Sequence, residues 1–454
     1  MKKRILCIGM LMASLLLHLN AFSQLEKPET IDDKLDTLYT RTDNLTHEME
    51  RMKKLQITGY VQLQFQMTDT AGGKGNSYAG GGWDNNTNSR FQMRRSRLKT
   101  VYENNDEFGN NKTQIVMQME FFNAVNNAAN GVISPVVIRD FYGKFTDPWT
   151  RWFGIKAGAM DKPFGYELTY SSGTRETPER GRMSQILFPG EKDYGAQLVI
   201  QPAKQSRFNW LKLETGLYNG TGVLNVDFDK EKDWISRFSF AKGNLNETIK
   251  YSGGCSYYYG GHKYGTKNNY QLEVLNDSTG AMGWKLIDSN SNNINHIGYS
   301  RFFGIDGQVS FDWKGGLTTL RAEYIGGTHG GTATTNNTPR TLPTEDYLQR
   351  NFNGAYFYFI QNVMHSKHSV MIKYDWYDPN TKVAGMQIGE KGSNLKSADI
   401  KYATLGLGYL FNYDQNWKFV AYADLVKNEL TGLAGYTADR PDNVYTLRLQ
   451  YTWR

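Results

Sequence analysis

Residues 55–67 read Leu55-Gln56-Ile57-Thr58-Gly59-Tyr60-Val61-Gln62-Leu63-Gln64-Phe65-Gln66-Met67. Ile57, Gly59, Val61, Leu63, Phe65 and Met67 fall on one face, and Gln56, Thr58, Tyr60, Gln62, Gln64 and Gln66 on the other. A period of two makes two faces only in an extended strand. One face suits lipid and the other water. The same reading predicts fifteen further strands, at 91–102, 112–121, 136–145, 151–160, 193–201, 207–218, 234–241, 247–259, 298–311, 317–326, 353–362, 368–376, 399–411, 417–427 and 444–453. In the last, Tyr445, Leu447, Leu449, Tyr451 and Trp453 alternate with Thr446, Arg448, Gln450 and Thr452, and Tyr451 and Trp453 are expected in an interfacial aromatic girdle.

The links between these strands alternate in length. Those at 146–150, 202–206, 242–246, 312–316, 363–367 and 412–416 are short and rich in Asp, Asn, Gly and Pro, whereas 68–89, 161–192, 260–297, 327–350, 378–398 and 428–443 are long and polar. A soluble sandwich has no reason to gather every long loop at one end. Unpaired N–H and C=O groups in hydrocarbon each cost several kcal/mol, so membrane strands must close on themselves. The expected fold is therefore all-β, a 16-stranded antiparallel transmembrane barrel over residues 55–454 with short turns in the periplasm.

Bulk properties agree. The chain carries 29 Tyr and 23 Phe with 46 Gly and only 11 Pro, a balance that suits strands and turns. Mean hydropathy is −0.59, and beyond residue 19 no apolar run approaches the roughly 20 residues of a membrane helix. Lys2, Lys3 and Arg4, an apolar stretch at 5–19 and Ala21-Phe22-Ser23 predict an export signal over 1–23, cleaved before Gln24. Cys7 would leave with it, so Cys255 has no disulfide partner in the chain. Without those three cations the formal charge drops from +7 to +4, too diffuse a surplus for nucleic acid.

Residues 24–54 predict a periplasmic helical segment. Ile31, Leu35, Leu38, Thr42, Leu45, Met49 and Met52 lie four and three residues apart, one seam of a short coiled coil. The seam suits trimerisation; a lone amphipathic helix on the barrel rim or the membrane surface would show the same pattern.

Site residues in a barrel are charges on its inner wall and on any inward-folded loop. Arg94, Arg95, Arg97 and Lys99 crowd the second strand, with Arg95, Arg97 and Lys99 in phase about 7 Å apart. Arg94 requires a bulge or a position at the rim. An Arg on the lipid face would cost about 2–4 kcal/mol at the midplane, which favours the lumen. Pairing with lumen acids such as Glu120 and Asp140, merely stiffening the wall, is the alternative. The third long loop, 161–192, carries Lys162, Arg175, Arg180 and Arg182 against Glu167, Glu176, Glu179 and Glu191. Its Pro163-Phe164-Gly165 turn fits an inward fold or an ordinary surface turn equally well. His47, His262, His296, His329, His365 and His368 are scattered, so no metal site, cofactor or enzyme signature emerges.

Gly158, Lys162-Pro163-Phe164-Gly165-Tyr166-Glu167, Glu179-Arg180 and Asp193-Tyr194-Gly195-Ala196-Gln197-Leu198, preceded by Arg94-Arg95, resemble the phosphate-selective porin O and P family in its Bacteroidetes-type members, over about residues 56–454. The resemblance implies a sixteen-stranded, usually trimeric outer-membrane porin with its third loop in the lumen and a basic ladder guiding anions. It implies anion preference more than strict phosphate selectivity, because the lysine-rich vestibule of the strict phosphate channels is not evident. The expected function is passive diffusion of small hydrophilic solutes. The competing expectation is a structural barrel that tethers the outer membrane through its N-terminal helix. An energised receptor would need about 22 strands and a plug.

Overall fold

The computed structural model describes residues 30–70, 77–121, 136–244 and 247–453. The expected export signal, 1–23, lies outside them. Two units are present, divided at Leu55. The first contains a single described helix, α1 (Ile31–Lys53). The seam residues Ile31, Leu35, Leu38, Leu45, Met49 and Met52 are all exposed on this helix.

The second unit is a closed barrel of sixteen antiparallel strands. They are β1 (Leu55–Thr68), β2 (Ser89–Asn105), β3 (Asn111–Phe121), β4 (Val136–Thr146), β5 (Phe153–Asp161), β6 (Lys192–Ile200), β7 (Leu211–Tyr218), β8 (Asp233–Gly243), β9 (Ile249–Lys263), β12 (Ile297–Trp313), β13 (Gly316–Gly331), β14 (Leu348–Asn362), β15 (His368–Asp378), β16 (Tyr402–Asn412), β17 (Trp417–Asn428) and β18 (Val444–Trp453). Each pairs with its neighbour in sequence except that β9 pairs with β12, and β18 returns to β1 in register from Gly59 opposite Trp453 to Thr68 opposite Val444. All sixteen expected strands exist. The seventh starts at Leu211 instead of 207, because the amides of Ser206, Asn209 and Leu211 donate to carbonyls three residues back and wind 203–211 into turns.

The alternation is inverted relative to a soluble protein. On β18, Leu447 is 60% exposed to the outside, while Thr446, Arg448 and Gln450 point inward and are buried. On β1, Gln62, Gln64 and Gln66 are buried and Leu63 and Met67 exposed. An apolar outer wall and a polar inner one suit a barrel in hydrocarbon.

The link 260–297 departs from the expected plain polar loop. It carries a separate two-stranded ribbon, β10 (Asn268–Asn276) and β11 (Ala281–Ser289). Trp284 of β11, with Tyr270, Leu272 and Met282, packs on Leu348, Val383, Ile388, Leu395 and Ile400. The Asn394 side chain accepts from Trp284 N at 2.7 Å and donates to Trp284 O at 2.8 Å, so the long loop between β15 and β16 is stitched along the ribbon edge.

Short turns are fixed by local acceptors. Asp147, between β4 and β5, accepts from the amides of Trp149, Thr150, Trp152 and Phe153 at 2.7–3.1 Å. Desolvation works against the charged carboxylate, yet the Phe153 and Thr150 amides and the Thr150 hydroxyl hold it well below the ordinary aspartate range. Its contribution to stability is complete above the unfolded pKa of about 3.9 and is lost as the pH falls through the depressed folded value. Asp147→Ala should therefore lower the unfolding free energy in vesicles by about 1 kcal/mol at neutral pH, and by progressively less in acid; an equal deficit at every pH would contradict this account of the turn.

At the closing seam a Cβ on Gly59 would lie 2.4 Å from Arg97 O and 2.2 Å from the Trp453 ring. Gly59→Val should cost about 1–3 kcal/mol in a urea titration, whereas an unchanged midpoint would show that the seam is looser than this geometry requires.

Candidate functional site

The third long loop, 162–191, runs inside the barrel. Its two arms are held to one wall by apolar packing. Phe164 and Phe188, with ring centroids 5.0 Å apart, lie against Phe302 of β12, and Phe188 also meets Tyr258 of β9. Met183 and Leu187 of the short helix α2 (Arg182–Leu187) join the same buried cluster with Ile325, Phe352 and Tyr356. Each fully buried side chain of this size contributes about 1.5–3 kcal/mol.

Gly165 makes the inward turn possible. Its φ is +58°, and a Cβ there would sit 1.9 Å from Glu323 Oε1. In its place the amides of Tyr166 and Glu167 donate to Glu323 Oε2 at 3.0 and 3.1 Å, while Gly165 N donates to Ser256 Oγ. Glu167 then organises α2, accepting from Gly181 N, Ser184 Oγ and Tyr358 OH. Arg180 donates to the carbonyls of Ser184 and Phe188 and pairs with Glu191 at 3.2 Å.

The far side of the loop docks on the basic strand. Glu179 accepts from Arg94 at 2.7 Å, from Arg95 at 2.7 Å and from Arg448 of β18 at 3.1 Å. Arg94 and Arg95 are sequence neighbours and still reach one carboxylate. Arg90 and Gln92 donate to Gln66 in the lumen, and Arg95 donates to Gln62, so the inward phase shifts by one residue between Arg94 and Arg95. Arg97 pairs with Glu120 at 3.2 Å and donates to Ser172 Oγ at 3.1 Å.

Two cavities flank the loop along this wall. One of about 160 Å3 opens toward the long loops and is lined by Arg94, Arg95, Arg97, Arg139, Arg180, Lys192 and Arg340 against only Glu120, Glu179 and Glu191. The other, about 340 Å3, opens toward the short turns past Tyr60, Lys99 and Thr452. Arg97, Glu191 and Lys192 line both and mark where they meet. Lys192 is itself held between Asp140 at 2.7 Å and Asp161 at 2.6 Å.

The structure thus brings Arg94, Arg95, Arg97 and Arg180 together around one cavity and places Lys99 in the next. It sends the other expected cations elsewhere. Lys162 is buried on Asp193 at 3.1 Å, and Asp193 also accepts from Gly220 N and Gly222 N, so this lysine pins the root of the loop. Arg182 lies 3.7 Å over the Tyr402 ring of β16 and 4.8 Å over Tyr78, away from the cavity of the basic strand. Arg175 is buried within the loop, its carbonyl accepting from Lys418. Pro163 borders a third cavity of about 480 Å3 with Lys156, Lys212 and Arg237.

Sequence reasoning passed over Arg139, Arg340 and Arg448. The inward phase of β18 gave a usable signal for Arg448. Arg139 lies next to Asp140 at a register shift in the β3–β4 pairing, so strict alternation would have turned it outward. Arg340 comes from a long loop with no local pattern.

No protein-family model matches the sequence, and neither does any curated protein. Solved structures do share the fold. The outer membrane channel DcaP of Acinetobacter baumannii is 11% identical with a TM-score of 0.51, the alignment covering 88% of this chain and 97% of that one. Salmonella typhi OmpF in complex with daunomycin is 11% identical with a TM-score of 0.48, covering 88% and 97%. Vibrio cholerae OmpT in its trimer form is 11% identical with a TM-score of 0.46, covering 88% and 99%. At 11% identity the likeness to the DcaP channel is one of fold alone.

Proposed function

We propose that this chain is an outer-membrane porin through which small hydrophilic solutes diffuse passively, anions more readily than cations, with phosphate one of the anions admitted. The loop 162–191 forms the constriction, and the short turns face the periplasm. The observation that carries the reading is the excess of seven cations over three carboxylates around the cavity between loop and basic wall. In a confined lumen of low dielectric such an excess raises the local anion concentration. No cofactor or energy coupling enters this reading.

Purified protein in a planar bilayer should give stepwise ohmic current with an anion-directed reversal potential under a salt gradient. That preference should fade toward 1 M salt, where the Debye length shrinks to about 3 Å. Arg139→Ala combined with Arg340→Ala should move the reversal potential toward zero. Cation selectivity in the unaltered protein would refute the anion assignment, and absence of current would refute the channel.

The exposed seam Ile31, Leu35, Leu38, Leu45, Met49 and Met52 supports a homotrimer joined through α1. Deleting residues 24–54 should abolish trimers on native gels while conductance persists. Intact trimers accompanied by envelope blebbing would instead identify α1 as a tether.

A further inference from the structure

Residues 171–179, the stretch of the loop between its two apolar arms, are attached differently from the rest. None of them joins the buried apolar cluster. The wall reaches them through cations, side-chain amides and the hydroxyls of Tyr60 and Tyr358, which meet Ser172 Oγ and Thr177 Oγ1. Arg97 donates to Ser172 Oγ, Lys418 to Arg175 O at 3.0 Å, Arg321 to Glu176 at 3.2 Å and Arg448 to Pro178 O at 2.8 Å. Gln62 and Gln450 donate to the carbonyls of Ser172 and Gly173. Arg94 and Arg95 each commit two donors to Glu179. The strap therefore lies across the wall as a row of acceptors on six cations.

One residue of the strap is left unsatisfied in this position. Arg175 is buried, and its Nε and Nη1 make no hydrogen bond. A buried donor without a partner costs about 1–3 kcal/mol, more when it is charged, so docking is achieved against an opposing term.

We propose that residues 171–179 form an anion-responsive strap, docked while Glu179 occupies the forks of Arg94 and Arg95 and released when a multivalent oxyanion takes them. The inference rests on the channel reading and adds regulation to the same site. A ligand shifts a two-state element only by its differential affinity. Here the difference is explicit: the docked strap has both arginine forks occupied by its own carboxylate, and the released strap offers them, with Arg175, to the solute. The apolar arms anchored at Phe164 and Phe188 remain in place and act as the hinge.

The test is bilayer conductance at fixed ionic strength, with chloride replaced stepwise by sulfate. Conductance normalised to bulk conductivity should rise saturably by about twofold or more. Glu179→Gln, which removes the competing carboxylate, should start near the raised level and lose the response. Arg448→Gln, which weakens docking from the wall side, should shift the response to lower sulfate and serves as the second variant should Glu179→Gln fail to insert. A normalised conductance that stays flat or falls with sulfate in the unaltered protein, or a Glu179→Gln response equal to it, overturns the strap and leaves the channel standing. No current under any condition overturns both.

Discussion

Backbone groups facing hydrocarbon have no water to turn to, so every strand edge in this molecule has to be paired. The β1–β18 ladder, ten residue pairs from Gly59–Trp453 to Thr68–Val444, joins the first strand to the last and closes the sheet. Once the sheet is closed, the alternation of side chains decides what lies inside. Leu63 and Leu447 face outward and Gln64 and Arg448 inward, while Phe302, Ile325 and Phe352 make an apolar patch on the inner wall. An interior that is polar over one arc and apolar over another does not close on itself. It has to be filled by water, by solute or by a segment whose own chemistry matches it.

The loop 162–191 matches it in two ways at once. Toward β9, β12 and β14 the wall supplies aromatic side chains, and the loop answers with Phe164, Met183, Leu187 and Phe188. Toward β2 and β18 the wall supplies guanidinium groups and glutamines, and the loop answers with carbonyls and Glu179. Buried ion pairs gain little net stability because desolvation offsets their attraction, but stripping one partner from such a pair costs about 3–5 kcal/mol. The polar half of the interface therefore contributes position more than stability, and the aromatic half holds the loop in.

The sequence made the strands legible because their period is local: two faces of unlike polarity announce themselves within a dozen residues. Positions governed by distant partners were less so. The ribbon β10–β11 was readable in principle, since Tyr270, Leu272 and Val274 alternate with Gln271 and Glu273 before Asn276-Asp277-Ser278-Thr279-Gly280. Its polar flanks hid it within a long link. Lys162 and Arg182 look like Arg95 in composition, but one is captured by Asp193 and the other by Tyr402, partners that no spacing reveals. Arg94 and Arg139 share another cause. Each sits where the alternation slips by a residue, and a slip of one exchanges the two faces of a strand.

These slips concentrate the charge. At Arg94-Arg95 and at Arg139-Asp140, two consecutive residues turn inward where regular pleating would admit one, and both sites border the same cavity as Glu120 and Glu179. Glu120 is shared by Arg97 and Arg139, as Glu179 is by Arg94, Arg95 and Arg448. Each carboxylate thus holds more than one guanidinium at close quarters without cancelling them all. An array of cations at this density would repel itself apart if left unpaired. With too many acids it would lose its field. The sharing of few carboxylates among many arginines is what lets the wall be both ordered and positive.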